Sequence, residues 1–195
     1  VERPAGILHQ SDPGVAVDSV VCLAQIPDPA APAERFQFTP GERLPAPWPG
    51  PFVVGPFDEN ALEVALELRQ RTGMPVHALS AGGKLATAAL KKALALQADD
   101  AARIDVETDA LDTAGLAALL ARAIRRLPDV GLIFVGRQSG DWDAGQLAPL
   151  LAEELGFSCA MLVKRVEEVG GDAAIVVRER DGRPERVRVA LPAVI

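Results

Sequence analysis

Gly136-Arg137-Gln138-Ser139-Gly140-Asp141-Trp142-Asp143-Ala144-Gly145-Gln146 stands between two segments of different character. Before it, Val130-Gly131-Leu132-Ile133-Phe134-Val135 is a short apolar run that reads as a buried strand; after it, Gln146 to Leu155 reads as a helix. A glycine-rich turn between a parallel strand and a helix is where open α/β sheets place their ligands. The start of the helix adds free N–H groups with the helix dipole behind them, a ready seat for phosphate. Spacing alone leaves two readings open, a nucleotide-phosphate seat or a plain turn with aspartate N-caps. Gly136, Gly140 and Gly145 allow positive φ or a close approach of the backbone. Asp141 and Asp143 either cap the helix or accept hydrogen bonds from ribose hydroxyls. Trp142 is either a packing anchor for the loop or a surface on which a ring stacks.

Upstream, strand and helix alternate. Ser19 to Ala24 is a short run with two adjacent valines and fits a first central strand. Asp58 is expected to cap a helix in which Ala61, Val64, Ala65 and Leu68 share one face, closed by Gly73. Pro75 to Ser80 reads as the next strand, followed by a turn at Ala81-Gly82-Gly83. A helix then carries Ala86, Ala89, Leu90, Ala93 and Leu94 on one side and turns Lys91 and Lys92 outward. A weaker strand near 101–106 precedes a helix capped by Asp112 or Thr113, with a stripe of Leu116, Leu119, Leu120, Ala123 and Ile124. The helix after the opening loop buries Leu147, Leu150, Leu151 and Leu155 and ends at Gly156. Then the rhythm changes: Ser158 to Glu167, Ala173 to Arg180 and Arg186 to Ala190 read as strands joined at Gly170-Gly171-Asp172 and Asp181-Gly182. This order predicts one domain over 1–195, a three-layer α/β/α fold with a parallel sheet and a C-terminal antiparallel β-hairpin extension. Residues 1–18 read as an irregular lead-in. The proline-dense stretch 27–56 reads as a long excursion without helix or central strand. Phe36, Phe38, Trp48, Phe52 and Phe57 are expected to hold it against the body.

The bulk properties close several functional classes. A 195-residue chain that is 49% hydrophobic and 24% charged is ordinary for a globular protein. Its net charge of −7 argues against general nucleic-acid binding and against an anionic membrane surface. No apolar run approaches the ~20 residues that span a bilayer, so membrane insertion is not expected. The first residues show no signal-peptide pattern, although the missing initiator Met warns of removal. Cys22 and Cys159 lie in apolar runs and read as buried free thiols, which suits the cytoplasm or an organelle matrix. Ala81-Gly82-Gly83-Lys84-Leu85 misses the P-loop pattern. With His9 and His77 alone, a catalytic triad or a histidine metal site is not expected; His77 reads as a polar residue on a strand face. Arg178-Glu179-Arg180-Asp181 reads as a solvated hairpin edge.

Four ordered motifs resemble the β subunit of electron transfer flavoproteins. The loop from Gly136 to Gln146 is similar in register to that family's G-K-Q-A-I-D-G-D-T-G-Q. Gly55-Pro56-Phe57-Asp58-Glu59-Asn60-Ala61-Leu62-Glu63 is similar to its N-P-F-D-E-x-A-L-E. Leu90 to Asp99 resembles L-R-K-A-L-A-M-G-A-D, and Leu191-Pro192-Ala193-Val194-Ile195 resembles L-P-A-V-V. The resemblance runs from about Ser19 to Ile195. It implies an adenine-nucleotide α-hydrolase-like fold and a non-catalytic electron-carrier subunit that forms a heterodimer with an α subunit. That pair carries FAD and takes electrons from acyl-CoA or other flavin dehydrogenases. The β-type pocket would hold AMP, or a second FAD in bifurcating members. Carried over by position, the nucleotide would meet Cys22, Gly55, Ala81, Gly136, Gln138, Asp141, Asp143, Ala144, Gly145, Gln146 and Leu147. The amides of Ala144, Gly145 and Gln146 would face its phosphate. Where the family has Asn, Thr and Lys, this sequence has Gly55, Ala144 and Ala24, and Arg183 breaks an acidic-or-glycine position. The family also continues past the position of Ile195 with an arm that wraps the α subunit; without it, partner binding is expected to be weaker or built differently. The alternatives are a stand-alone nucleotide-binding regulator of the same fold and a structural homologue with an empty pocket.

Overall fold

The computed structural model describes residues 17–35, 37, 41, 48–108 and 111–195. The lead-in up to residue 16, Phe36 and Phe38 lie outside the described residues. Six strands form one sheet in the order β5-β4-β1-β6-β11-β7, every neighbouring pair parallel. They are β1 (Asp18–Cys22), β4 (Val76–Ala81), β5 (Asp100–Ile104), β6 (Val130–Phe134), β7 (Ser158–Cys159) and β11 (Ala193–Val194). The β1 run is buried on both faces, as a central parallel strand requires. Val21 and Leu23 face one layer, Val20 and Cys22 the other.

Helices α1 (Pro56–Thr72) and α2 (Thr87–Ala95) cover the first face through Leu62, Ala65, Leu68, Ala89, Leu90 and Ala93. Helices α3 (Thr113–Ile124) and α4 (Leu147–Leu155) cover the second through Ala117, Leu120, Ala121, Ile124, Ala148, Leu151 and Ala152. Asp112 caps α3 by accepting the Gly115 N–H at 2.7 Å, and Gly73 and Gly156 close α1 and α4 in the left-handed conformation, all as the sequence indicates. In α3 and α4 alanines share the buried stripe with Leu120, Ile124 and Leu151, while Leu116, Leu147, Leu150 and Leu155 are only partly buried beside it. Leu94, expected inside, is 47% exposed: it lies one residue from the end of α2, and Ala93 takes the buried position of that last turn.

Three expectations change. The helix expected to be capped by Asp58 starts three residues earlier: Pro56 takes the first helical position, where its fixed φ and missing N–H cost nothing, and Gly55 is the cap. The proline-rich excursion is closed by a two-stranded antiparallel pair, β2 (Gln25–Pro27) with β3 (Phe52–Val54). Within it Trp48, Phe52 and Phe57 are half-buried, and the Trp48 indole N–H donates to the Pro51 carbonyl at 2.7 Å. The run from Ser158 to Glu167 is two strands, since β7 joins the parallel sheet and β8 (Val163–Gly170) leaves it.

With β9 (Ala173–Arg180) and β10 (Arg183–Ala190), β8 forms a three-stranded antiparallel meander, turned at Gly171-Asp172 and at Asp181-Gly182. Positive φ at Gly171, Asp181 and Gly182 is what such tight hairpin turns need. Val166, Ala174, Val176 and Val189 pack into the same core as α1. The Arg71 guanidinium fastens the contact by donating to the Val166 and Glu167 carbonyls at 2.9 and 2.8 Å. The outer surface carries ion pairs such as Arg186–Glu167 and Arg178–Glu185, both at 2.7 Å. The expected C-terminal antiparallel extension is thus present as a meander, with the short strand β11 returning to the parallel sheet after it.

Leu68 is fully buried where α1, the sheet and the meander meet. Leu68→Ala should cost roughly 2–5 kcal/mol of unfolding free energy, read from urea denaturation, with loss of meander and helix signals in one transition.

Candidate functional site

From β1 the chain moves outward through β4 to β5, then returns to place β6 on the other flank of β1. The C-terminal ends of β1 and β6 are therefore the topological switch point of the sheet, the place where open α/β sheets bind ligands. The residues singled out in the sequence gather at this edge. Cys22 ends β1, Ala81 ends β4, Gly55 precedes α1, and Gly136 to Leu147 run from β6 into α4. The end of β1 is held by two bonds: the Ser80 hydroxyl donates to the Leu23 carbonyl at 2.6 Å, and the Gly55 N–H to the Ala24 carbonyl at 2.9 Å.

Asp58 lies at the centre. It is the third residue of α1, and its carboxylate leaves the helix to accept the Ala24 N–H at 2.8 Å. The Gly136 N–H faces the same carboxyl and favours its ionised form. One side chain thus ties together the exit of β1, the start of α1 and the exit of β6. Both glycines around it are dictated by this contact. A Cβ on Gly136 would lie 2.4 Å from Asp58 Oδ1 and 3.0 Å from the backbone carbon of Phe57; one on Gly55 would lie 2.9 Å from Asp58 Oδ2. Although the residue keeps partial solvent access, burial dominates and pushes its carboxyl up to about 7 against the two N–H groups, with the Asp141 charge adding to the rise. Sequence reading took Asp58 for the cap. The usable signal was Pro56, because a proline at the first helical position puts Asp58 inside the first turn.

The loop after β6 is closed on itself. The Ser139 N–H donates to the Ala144 carbonyl at 3.2 Å, and the Ala144 N–H donates back to the Ser139 hydroxyl at 3.1 Å. The Gln138 amide donates to Asp143 Oδ1, and the Trp142 N–H to Asp141 Oδ1 at 2.9 Å. Neither aspartate caps α4, whose first residue follows Gln146 with no side-chain acceptor at the cap. The positive φ expected at the glycines is found instead at Asp143, at +53°. The glycines serve close approach: a Cβ on Gly140 would lie 2.6 Å from Ile26 Cδ1 and 3.1 Å from Pro56 Cδ, whereas one on Gly145 would meet nothing nearer than 3.4 Å.

Trp142 does not anchor the loop, since it is 66% exposed. Arg137 lies with its guanidinium carbon 5.0 Å from the Phe57 ring centre and donates to the Gln138 side-chain carbonyl at 3.0 Å. Cys22 is buried as expected, and burial with the Asp58 charge pushes its thiol up to about 12, which leaves it inert as a nucleophile. Cys159 is exposed, not buried, because β7 is the edge strand of the sheet. His77 sits on the second residue of β4, at the opposite end of the sheet, 3.0 Å from Asp18 Oδ2. Among the described residues no group of His, Cys, Asp and Glu could hold a metal ion.

Two backbone donors at the end of the loop are free to meet an anion. The amides of Ala24 and Ala144 are committed inside the chain. Those of Gly145 and Gln146 donate to no acceptor among the described residues, and they lead directly into α4. An anion can be met there by backbone N–H groups and the helix dipole, away from Asp58.

Comparison with known proteins identifies the family. The family model described as electron transfer flavoprotein domain matches residues 50–195. An electron transfer flavoprotein subunit beta from Thermoanaerobacterium thermosaccharolyticum is 35% identical over 74% of this chain and 55% of its own length. Another subunit of the same description, from Clostridium acetobutylicum, is 34% identical over 90% of this chain and 66% of its own. The protein FixA of Azotobacter vinelandii is 32% identical over 91% and 64%. The chain thus spans less than two thirds of the length of these relatives.

Two outcomes follow from the Asp58 contact. Gly136→Ala should destabilise by roughly 1–3 kcal/mol, whereas Gly145→Ala should stay within about 0.5 kcal/mol, both read from denaturant midpoints. Because the folded carboxyl titrates near 7 and its unfolded counterpart near 3.8, the folded state binds the extra proton between those values. Stability should therefore fall as pH rises from about 4 to 7, and the Asp58→Asn variant should lose that slope. Parallel pH profiles for the two proteins would refute this.

Proposed function

The chain belongs to the electron transfer flavoprotein family, and on that premise we propose that it serves as a β-type subunit: a nucleotide-bound scaffold that pairs with an FAD-carrying α subunit and performs no chemistry of its own. One observation carries the nucleotide reading. At the switch point, the loop after β6 leaves the Gly145 and Gln146 amides uncommitted at an α4 terminus with no side-chain cap. AMP, or a second FAD as in bifurcating members, is the ligand assigned to this seat.

In this role the residues present divide the work simply. Gly145 and Gln146 meet the phosphate through backbone hydrogen bonds, which explains how the site can do without side-chain donors at Gly55 and Ala144. Cys22, Gly55 and Ala81 form the floor along the strand ends, and Asp141 and Asp143 offer carboxylate oxygens to ribose hydroxyls. Asp58 holds the exits of β1 and β6 in register beneath them. The flavin shared with the α subunit supplies reversible electron transfer when bound; acyl-CoA or other flavin dehydrogenases are the proposed donors. The chain's own contribution is position and charge. The absence of an activated nucleophile at Cys22 suits a scaffold.

The test is to co-express the chain with an α subunit, purify the pair by size exclusion, denature it and identify the released small molecules by mass spectrometry. AMP, or a second equivalent of FAD, is expected at one per chain. Release of neither would overturn the nucleotide assignment, and elution of the chain apart from the α subunit would overturn the pairing.

A further inference from the structure

Trp142 is the most exposed large apolar side chain among the described residues, at 66%. Its backbone lies in a loop closed on itself. Residues 140–143 are enclosed by the reciprocal Ser139–Ala144 hydrogen bonds, Gly140 is pressed against Ile26 and Pro56, and the Trp142 N–H is bound to Asp141. A large aromatic ring is thus presented to solvent by a loop whose conformation is specified from both ends. It stands three and four residues before Gly145 and Gln146, so at most ~14 Å of chain separates it from the uncommitted amides. A flat apolar face and a pair of anion-binding N–H groups within that reach match the two ends of a nucleotide, its ring and its phosphate.

Resting on the nucleotide reading above, we propose that Trp142 is the stacking surface for the flat heteroaromatic ring of the nucleotide whose phosphate the Gly145 and Gln146 amides hold. Every base or flavin presents a π-face, so stacking accepts either adenine or isoalloxazine. The surroundings favour this occupant over a protein partner. Binding hot spots on protein surfaces lie within a desolvated apolar ring, whereas the flanking Asp141 and Asp143 are exposed carboxylates that suit hydroxyl groups. Their charge is partly engaged already, by the Trp142 N–H and the Gln138 amide.

The sequence contains two tryptophans, so Trp48→Phe leaves Trp142 as the sole reporter. Nucleotide-depleted Trp48→Phe protein would be titrated with AMP, with FAD and with ribose 5-phosphate, which has the phosphate and no ring. Heat and tryptophan emission would be followed together. AMP is expected to quench Trp142 emission at the concentrations that evolve heat; ribose 5-phosphate should evolve heat without quenching. Whichever of AMP and FAD binds more tightly identifies the natural ring. Adding Trp142→Ala should weaken AMP and FAD binding roughly 10-fold and leave ribose 5-phosphate unchanged, while Trp142→Phe should retain most of the affinity. Heat with AMP but unchanged emission, or equal AMP affinity in Trp142→Ala, would overturn the stacking assignment and leave the phosphate seat standing. No heat with any of the three would overturn both. Emission that responds to an added α subunit and not to nucleotide would overturn the stacking assignment in favour of a subunit contact.

Discussion

The Asp58 carboxyl accepts the Ala24 amide and faces that of Gly136, so three chain segments far apart in sequence share one polar junction at the edge of the sheet. Around it there is little tolerance. The backbone after β1 must come close enough to donate, the loop after β6 must lack a side chain where it passes, and α1 must begin two residues before the acid. An unpaired amide at such a junction would cost more than the hydrogen bond returns, so the arrangement is maintained as a unit. The loop from Gly136 to Gln146 inherits its position from this contact, and the uncommitted amides of Gly145 and Gln146 inherit theirs from the loop.

That dependence explains what the sequence disclosed. Alternating strands and helices, the caps at Asp112, Gly73 and Gly156, and the turns at Gly171 and Asp181 are local features, and each is visible in a few neighbouring residues. The collection of Cys22, Gly55, Ala81 and the loop at one edge was accessible through topology and through family resemblance. The junction was not: Pro56 shows that Asp58 lies inside the first turn, but nothing beside Asp58 names the distant strand exits that its carboxyl reaches. Trp142 shows the same limit. Its hydrophobicity suggested burial, and only the closed loop around it shows that the ring stands outside. The role expected of the glycines was right in kind at Gly136 and Gly140, but the tight neighbours are other parts of the chain, and positive φ fell to Asp143.

Burial is divided unevenly between the faces of the sheet. On one side α1 and α2 share the work with the meander, and Arg71 links helix to strand through two carbonyls. On the other, α3 and α4 fill the layer by themselves, with Ala117, Leu120, Ala121, Ile124, Ala148, Leu151 and Ala152 buried against the sheet. The outer meander surface is covered by crossed ion pairs, which offset exposed strand edges more than they add stability.

The position of β11 has a consequence for the order in which the protein can be assembled. It lies between β6 and β7, so those two strands have no hydrogen bonds to each other and meet only through a segment made after the whole meander. As the chain leaves the ribosome, β7 must wait unpaired while residues 160–192, with the antiparallel meander among them, follow it. The meander can settle on α1 during that interval, but the central sheet is completed only when Ala193 and Val194 slide between their partners. A nascent chain halted before β11 would expose the edges of β6 and β7 together, a surface open to pairing with other chains.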